Sequence, residues 1–368
     1  MQTRGGERGP MRATAISGAV VALLGLGAPA RGQTAPDILT YRGADREQRL
    51  LEGARKEGQL VFYSSLTINQ VLRPLADAFS KKYPFIKLTY WRAESANIFT
   101  KVAAETRAGN VVGDVVEGTG VGEVAVQAGL SQPFHTPMLD AVPKRYHDKN
   151  AMWLPTRRSF YAAAYNTRNT PPEAAPKAYE DLLDVRWKGG KMYWHAGTST
   201  GGGLFVSNLR IAWGEDKAMA YFKRLGEQKI VSMTSGSGRL LVDRVMAGEM
   251  PMALNIFAHH PIISAAKGAP VASALMDPIA STVGTLVIPK GLRHPHAAML
   301  LVDFILSQEG QKILAGSDYF PVREDVAPEP SLAPILAAVA KAHENFVDPE
   351  TLAKMNPSSE KIISEVLR

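Results

Sequence analysis

Short apolar runs alternating with amphipathic helical stretches between residues 60 and 117 constrain this chain more than any other feature. Leu60-Val61-Phe62-Tyr63 reads as a buried strand, closed by the polar turn Ser64-Ser65-Leu66-Thr67. A helix over about 69–83 follows, with Val71, Leu72, Leu75, Ala78 and Phe79 on its apolar positions and Pro84 at its end. Ile86 to Trp91 is the next strand, about 95–108 the next helix, stopped by Gly109, and 114–117 a third strand running into Gly118-Thr119-Gly120-Val121-Gly122. A charged helix, Asp45 to Glu57, precedes them and ends at Gly58. Strand, helix and strand at this spacing predict right-handed βαβ units on a parallel sheet.

The middle of the chain changes character. Residues 157–165 alternate weakly and read as a crossing strand, and the Pro- and Thr-rich stretch 167–177 is a loop. Beyond it come the strand 191–194, the Gly-rich 197–203, helices over about 204–213, 218–227 and 238–247, and the strand Pro251 to Asn255. Gly284 to Ile288 is a buried strand, Pro289-Lys290-Gly291 a turn, and an apolar helix runs on to about Leu314 with a break at 307–310. The tail from about Pro328 is helical, with Leu332, Ile335, Leu336 and Val339 on one face.

The N-terminus sets the address. Arg4, Arg8 and Arg12 form a basic region, 13–28 is apolar, and Ala28-Pro29-Ala30 offers small residues for cleavage, the three-part form of a secretory signal over 1–30. The apolar run falls short of the roughly 20 residues a membrane span needs, and Met11 is an alternative start. The chain has no cysteine, which excludes disulfides and a lipid-modified cysteine anchor. A cleaved, unanchored periplasmic protein is therefore expected. The net charge of +7 is scattered without the basic face that nucleic acid requires, so no nucleic-acid partner is expected. The roughly 330 residues after the leader suggest two domains.

Several segments in this order carry a family resemblance: Gly58-Gln-Leu-Val-Phe-Tyr-Ser-Ser65, Pro74-Leu-Ala-Asp-Ala-Phe79, Val245-Met-Ala-Gly-Glu249, Ala266-Lys-Gly-Ala-Pro-Val271, and the stretch from Ile288 to Gly310 followed by Tyr319-Phe320-Pro321-Val322-Arg323. Together they resemble bacterial periplasmic solute-binding proteins of type II, specifically the branch of the ferric-iron-binding proteins. The resemblance implies two α/β lobes joined by crossing strands, a ligand held between them, and hinge closure that presents the carrier to the permease and ATPase of an ABC importer. It places lobe 1 at 36–162 plus 284–326, lobe 2 at 163–283, and a C-terminal helical segment at 327–368 packing on both. A monomer with no cofactor is expected. The ferric proteins carry adjacent tyrosines where this chain has Phe257 and Ala258, so iron or an iron chelate becomes the alternative ligand, and a signalling receptor the alternative role. A catalytic role finds no support. The chain has no Gly-x-Ser-x-Gly elbow, no His-Glu-x-x-His and no cysteine nucleophile.

Ligands of open α/β lobes sit beyond the C-terminal strand ends. That rule selects Ser64 and Ser65 after the first strand, Arg92 after the second, and Glu117 with Thr119 after the third. Hydroxyls and backbone N–H groups at helix starts suit an oxyanion, which adds Thr198 and Ser199, and Gly236 with Ser237. Arg157 on the crossing strand, Asn255 at a strand end and His259 complete the candidate set. With Arg92, Arg157 and Arg239 available for bidentate contacts, a small anionic organic solute is favoured. Trp91, Trp153, Trp187, Trp194 and Trp213 are too spread out for an aromatic cage and read as core.

Overall fold

The computed structural model describes residues 37–195, 201–233 and 237–367. The expected leader over 1–30, Thr198, Ser199 and Gly236 lie outside these residues. Among the described residues no helix is long and apolar enough to cross a membrane.

The strands are β1 (Gln59–Ser64), β2 (Lys87–Arg92), β3 (Val115–Thr119), β4 (Leu154–Asn166), β5 (Met192–His195), β6 (Val231–Met233), β7 (Met252–Phe257), β8 (Val271–Ala274), β9 (Ile279–Val287), β10 (Phe320–Pro321) and β11 (Glu344–Phe346). The α-helices are α1 (Arg46–Glu57), α2 (Arg73–Lys82), α3 (Ser95–Arg107), α4 (Val121–Gln127), α5 (Gly202–Trp213), α6 (Glu215–Gly226), α7 (Gly238–Ala247), α8 (His259–Ala265), α9 (Pro295–Leu306), α10 (Gln308–Ala315), α11 (Ala333–Lys341) and α12 (Pro349–Glu365).

The βαβ expectation holds at the two ends of the sheet, where β1 pairs in parallel with β2 and β3, and β5 in parallel with β6 and β7. It fails in the middle. The strand order is β2-β1-β3-β9-β4-β7-β5-β6, and β9 and β4 run antiparallel to their neighbours in that order, while β11 adds to β9 in parallel off this path. The sheet is therefore mixed. β4 spans 13 residues, and β9 is buried at every position along its length. β4 carries the chain from one apolar core toward the other and β9 brings it back after β5 to β8, so the two strands pair antiparallel.

Two large apolar cores flank these crossing strands. One gathers Leu60, Phe62, Leu75, Phe79, Val116, Leu301 and Phe304 from residues 38–154 and 283–322. The other gathers Trp187, Trp194, Phe205, Leu209, Phe222 and Met252 from its middle, and Ile362 and Ile363 of α12 join it. Trp153, Trp187 and Trp194 are buried, while Trp91 is exposed. The predicted break in the long apolar helix is a cap: Ser307 Oγ accepts from Gly310 N at 3.1 Å and starts α10. The helix predicted over 69–83 begins instead with a π-helical turn, Ile68–Leu72, before α2. The apolar face of the tail is seated as read, with Leu332 and Ile335 fully buried and Leu336 and Val339 packed beside them.

Candidate functional site

A cavity of about 1030 Å³ opens at the C-terminal ends of β1, β2 and β3 and faces α7, α8 and the end of β7. Parallel register aligns Ser64 with Arg92 and with Glu117, so the first three loops open on one edge. Ser65, Arg92, Thr119, Arg157, Ser237 and Asn255 all line this cavity. Six predicted residues from six segments thus meet in one place.

Three other predicted residues sit behind the lining. Glu117 has no exposure; its carboxylate accepts from Ser64 Oγ at 2.7 Å and from the Ser65 N–H at 3.3 Å, and takes a short hydrogen bond from Arg157 Nη1. It therefore holds neighbouring protein groups where a ligand contact was expected. Ser64 is equally buried and is spent locally, since its Oγ also accepts from Leu66 N at 3.1 Å. His259 is 1% exposed and packs against Tyr319, with ring centroids 5.0 Å apart. The adjacent His260 lines the cavity in its place, because successive residues at the start of α8 point in different directions.

Arg157 is the organising cation. It is 4% exposed, its Nη2 donates to Thr119 Oγ1 at 3.2 Å, and its guanidinium lies 5.4 Å from the centre of the Tyr319 ring. Burial works against its charge, and the Glu117 carboxylate together with Tyr319 and Tyr161 outweighs this, so its pKa is raised. Gly284, its partner across β9, supplies the space. A Cβ there would lie 2.8 Å from the Arg157 Cζ and 2.8 Å from Thr156 Oγ1.

The remaining cations stand around the opening. Arg92 pairs with Glu94 at 2.7 Å. Arg239 donates to Ser264 Oγ at 2.9 Å and pairs with Asp243 at 2.8 Å. Lys267 is exposed at the rim, and Ser237 Oγ caps α7 by accepting from Leu240 N at 3.3 Å. Glu94 is the only carboxylate among the described lining residues. Asn255 sits where β7 carries a register irregularity against β4; its φ is 50°, a left-handed conformation that Asn tolerates, and its Nδ2 donates to Gly201 O at 2.7 Å.

Sequence reasoning passed over several lining residues: Tyr161, His195, Tyr319, Lys267 and Asn356. Tyr161 lies on the crossing strand and contributes to the lining, while its hydroxyl is buried without a protein partner and burial raises its pKa. Arg239 was already a candidate clamp. Asn356 comes from α12, far along the chain, and no local pattern pointed to it. Among the described residues no cluster of three or more His, Cys, Asp or Glu could hold a metal ion. The arrangement can thus clamp a polar or anionic solute with guanidinium, hydroxyl and amide groups.

Comparison with known proteins agrees with this geometry. Residues 74–342 match the family described as bacterial extracellular solute-binding protein. An uncharacterized protein of Haemophilus influenzae is 30% identical over 279 residues, covering 71% of this chain and 76% of the relative. Among solved structures, the periplasmic binding protein AfuA of Actinobacillus pleuropneumoniae, with fructose-6-phosphate bound, is 24% identical, with a TM-score of 0.70 over 84% of this chain and 99% of its own. The substrate binding protein of an ABC transporter from Agrobacterium tumefaciens is 19% identical (TM-score 0.71; 86% and 97% covered). Iron-bound HitA from Pseudomonas aeruginosa is 22% identical (TM-score 0.69; 82% and 98% covered). At these identities the solved structures establish a type II periplasmic binding protein fold.

Proposed function

The chain belongs to the bacterial extracellular solute-binding protein family, the solute-capturing component of ABC-type import, and we propose that its solute is a small organic anion. The observation that carries this reading is the gathering of Arg92, Arg157, Arg239 and Lys267 on one cavity whose described lining holds a single carboxylate, Glu94. Arg92, Arg157 and Arg239 each already have a carboxylate partner. They therefore act through oriented N–H donors more than through bare charge.

In this reading the segments 36–162 plus 284–326 and 163–283 are lobes that close on the solute, and the segment 327–368 braces them. The protein is exported by its leader, works free in the periplasm as a monomer, catalyses no reaction, and hands its cargo to a permease and ATPase. Iron is the weaker alternative. HitA is an iron-bound neighbour, but this chain has Phe257 and Ala258 where the ferric branch places its tyrosines, and a hard cation favours carboxylate and phenolate oxygens. AfuA, crystallised with a sugar phosphate, is the better guide to the ligand.

A thermal-shift screen tests the reading. Organic acids and organic phosphates should raise the melting temperature, since a ligand at 100 times its dissociation constant adds roughly 2.7 kcal/mol to the native state. Arg92→Ala and Arg239→Ala should each weaken that binding about tenfold. A shift with ferric salts alone would remove the organic-anion reading.

A further inference from the structure

The cavity has a second chemistry that its cations do not explain. Four side chains on its lining hold buried polar atoms that have no protein partner: Tyr161 Oη, both ring nitrogens of His195, Nδ1 of His260 and Oδ1 of Asn356. They arrive from β4, β5, α8 and α12, so their convergence is a product of the whole fold. Tyr161 is only 4% exposed, and a hydroxyl buried without a partner destabilises the fold that holds it. A ligand that supplies the partners recovers that loss.

These atoms specify what the ligand must bring. Asn356 Oδ1 is an acceptor, and the amide is held in place by Nδ2 donating to Glu360 at 3.0 Å. The Tyr161 hydroxyl donates or accepts, and a neutral imidazole does one at each nitrogen. Burial, then the charges of Arg239 and Arg157, push His260 down to about 3, so it meets the ligand uncharged. Both charges acting on it are positive, which opposes a metal cation at this wall. The groups that fit are uncharged donor-acceptors, and a hydroxyl is the simplest of these because it donates and accepts at one atom. Tyr161 and Phe257, with ring centroids 5.1 Å apart, add aromatic surface beside them.

We infer that the solute carries several hydroxyl groups next to its anionic group, and that Tyr161, His195, His260 and Asn356 are the side chains that read them. This rests on the organic-anion reading and narrows it to polyhydroxylated acids or phosphate esters, against alkyl acids and inorganic phosphate. It also gives α12 a share in specificity, although that helix lies beyond the segment that matches the family.

Calorimetric titration with three matched probes tests the inference: sorbitol 6-phosphate, hexyl phosphate and sorbitol. Sorbitol 6-phosphate should bind at least about tenfold tighter than hexyl phosphate. Tyr161→Phe and Asn356→Leu should each weaken sorbitol 6-phosphate about tenfold and leave hexyl phosphate unchanged, which also shows that the variants fold. Equal binding of the two phosphates, or an equal loss for both in the variants, overturns the hydroxyl inference and leaves the anion reading standing. Sorbitol binding as tightly as its phosphate would overturn the anion reading while the hydroxyl wall survives, and no binding by any of the three would sink both.

Discussion

At the scale of single residues, the pair Glu117 and Arg157 matters most to this site. Both are buried, and each neutralises the other where water cannot. Removing one partner leaves an uncompensated charge, so Glu117→Ala should cost about 3–5 kcal/mol in urea unfolding. Arg157→Ala should cost a similar amount. The double variant should lose far less than the sum of the two, because it buries no lone charge; strict additivity would show that the pair is not coupled. Gly284→Ala probes the same guanidinium from the other side, since the new Cβ would press on Arg157 and Thr156. Overpacking of this kind costs about 1–3 kcal/mol and should weaken anion binding as well, whereas a variant of native stability and affinity would mean that Arg157 has room to move. The strand-end rule made Ser65, Arg92 and Thr119 legible, because it depends only on where a strand stops. It could not separate Ser64 from Ser65, or His259 from His260. Which of two neighbours faces the cavity is decided by local rotation and by partners such as Glu117 and Tyr319 that are distant in sequence.

At the scale of elements, α12 and α4 meet at a titratable contact. α12 is fixed to α5 by a hydrogen bond between the Ser359 and Ser207 hydroxyls at 2.9 Å and by Arg210 Nη1 donating to Ser358 Oγ at 2.8 Å. It also packs against α4, whose Glu123 is 3% exposed and has one carboxylate oxygen without a protein partner. Burial, with a smaller contribution from Asp348 at the start of α12, raises Glu123 from the ordinary 4.5 to about 7. The folded protein therefore holds a proton there that the unfolded chain releases. This contribution is complete below about 4.5 and is lost as pH rises through about 7. Between pH 5 and pH 8 the loss should be roughly 2–3 kcal/mol. Glu123→Gln lacks it, so the difference in melting temperature between variant and parent should grow in the variant's favour across that range. A pH-independent difference would place the Glu123 carboxylate in water. Sequence periodicity located the amphipathic helices well, to within a few residues. Missed elements were short or set by distant partners: β8, β11 and the π-helical turn before α2 carry no periodic signature of their own.

At the scale of the molecule, the antiparallel pair β4 and β9 links the two sides of the cavity. These strands connect the two apolar cores, and the cavity has Arg92 and Thr119 from one side and Arg239 and His260 from the other. A ligand that touches both sides favours the arrangement in which they are closest, and its differential affinity is all that drives the change. The sequence carried this architecture only through family resemblance, since βαβ spacing alone argues for a parallel sheet and gives no sign that residues near 160 and 284 pair. If the two sides move as hinge-joined bodies, small-angle scattering should show a smaller radius of gyration with saturating ligand, from a value of about 20 Å expected for a compact chain of this length. Arg239→Ala should bind more weakly and close less completely at the same fractional saturation, because it removes a contact made by the second side only. An unchanged radius under a ligand that calorimetry shows to be bound would mean that the cavity is preformed, with selectivity residing in its rigid walls.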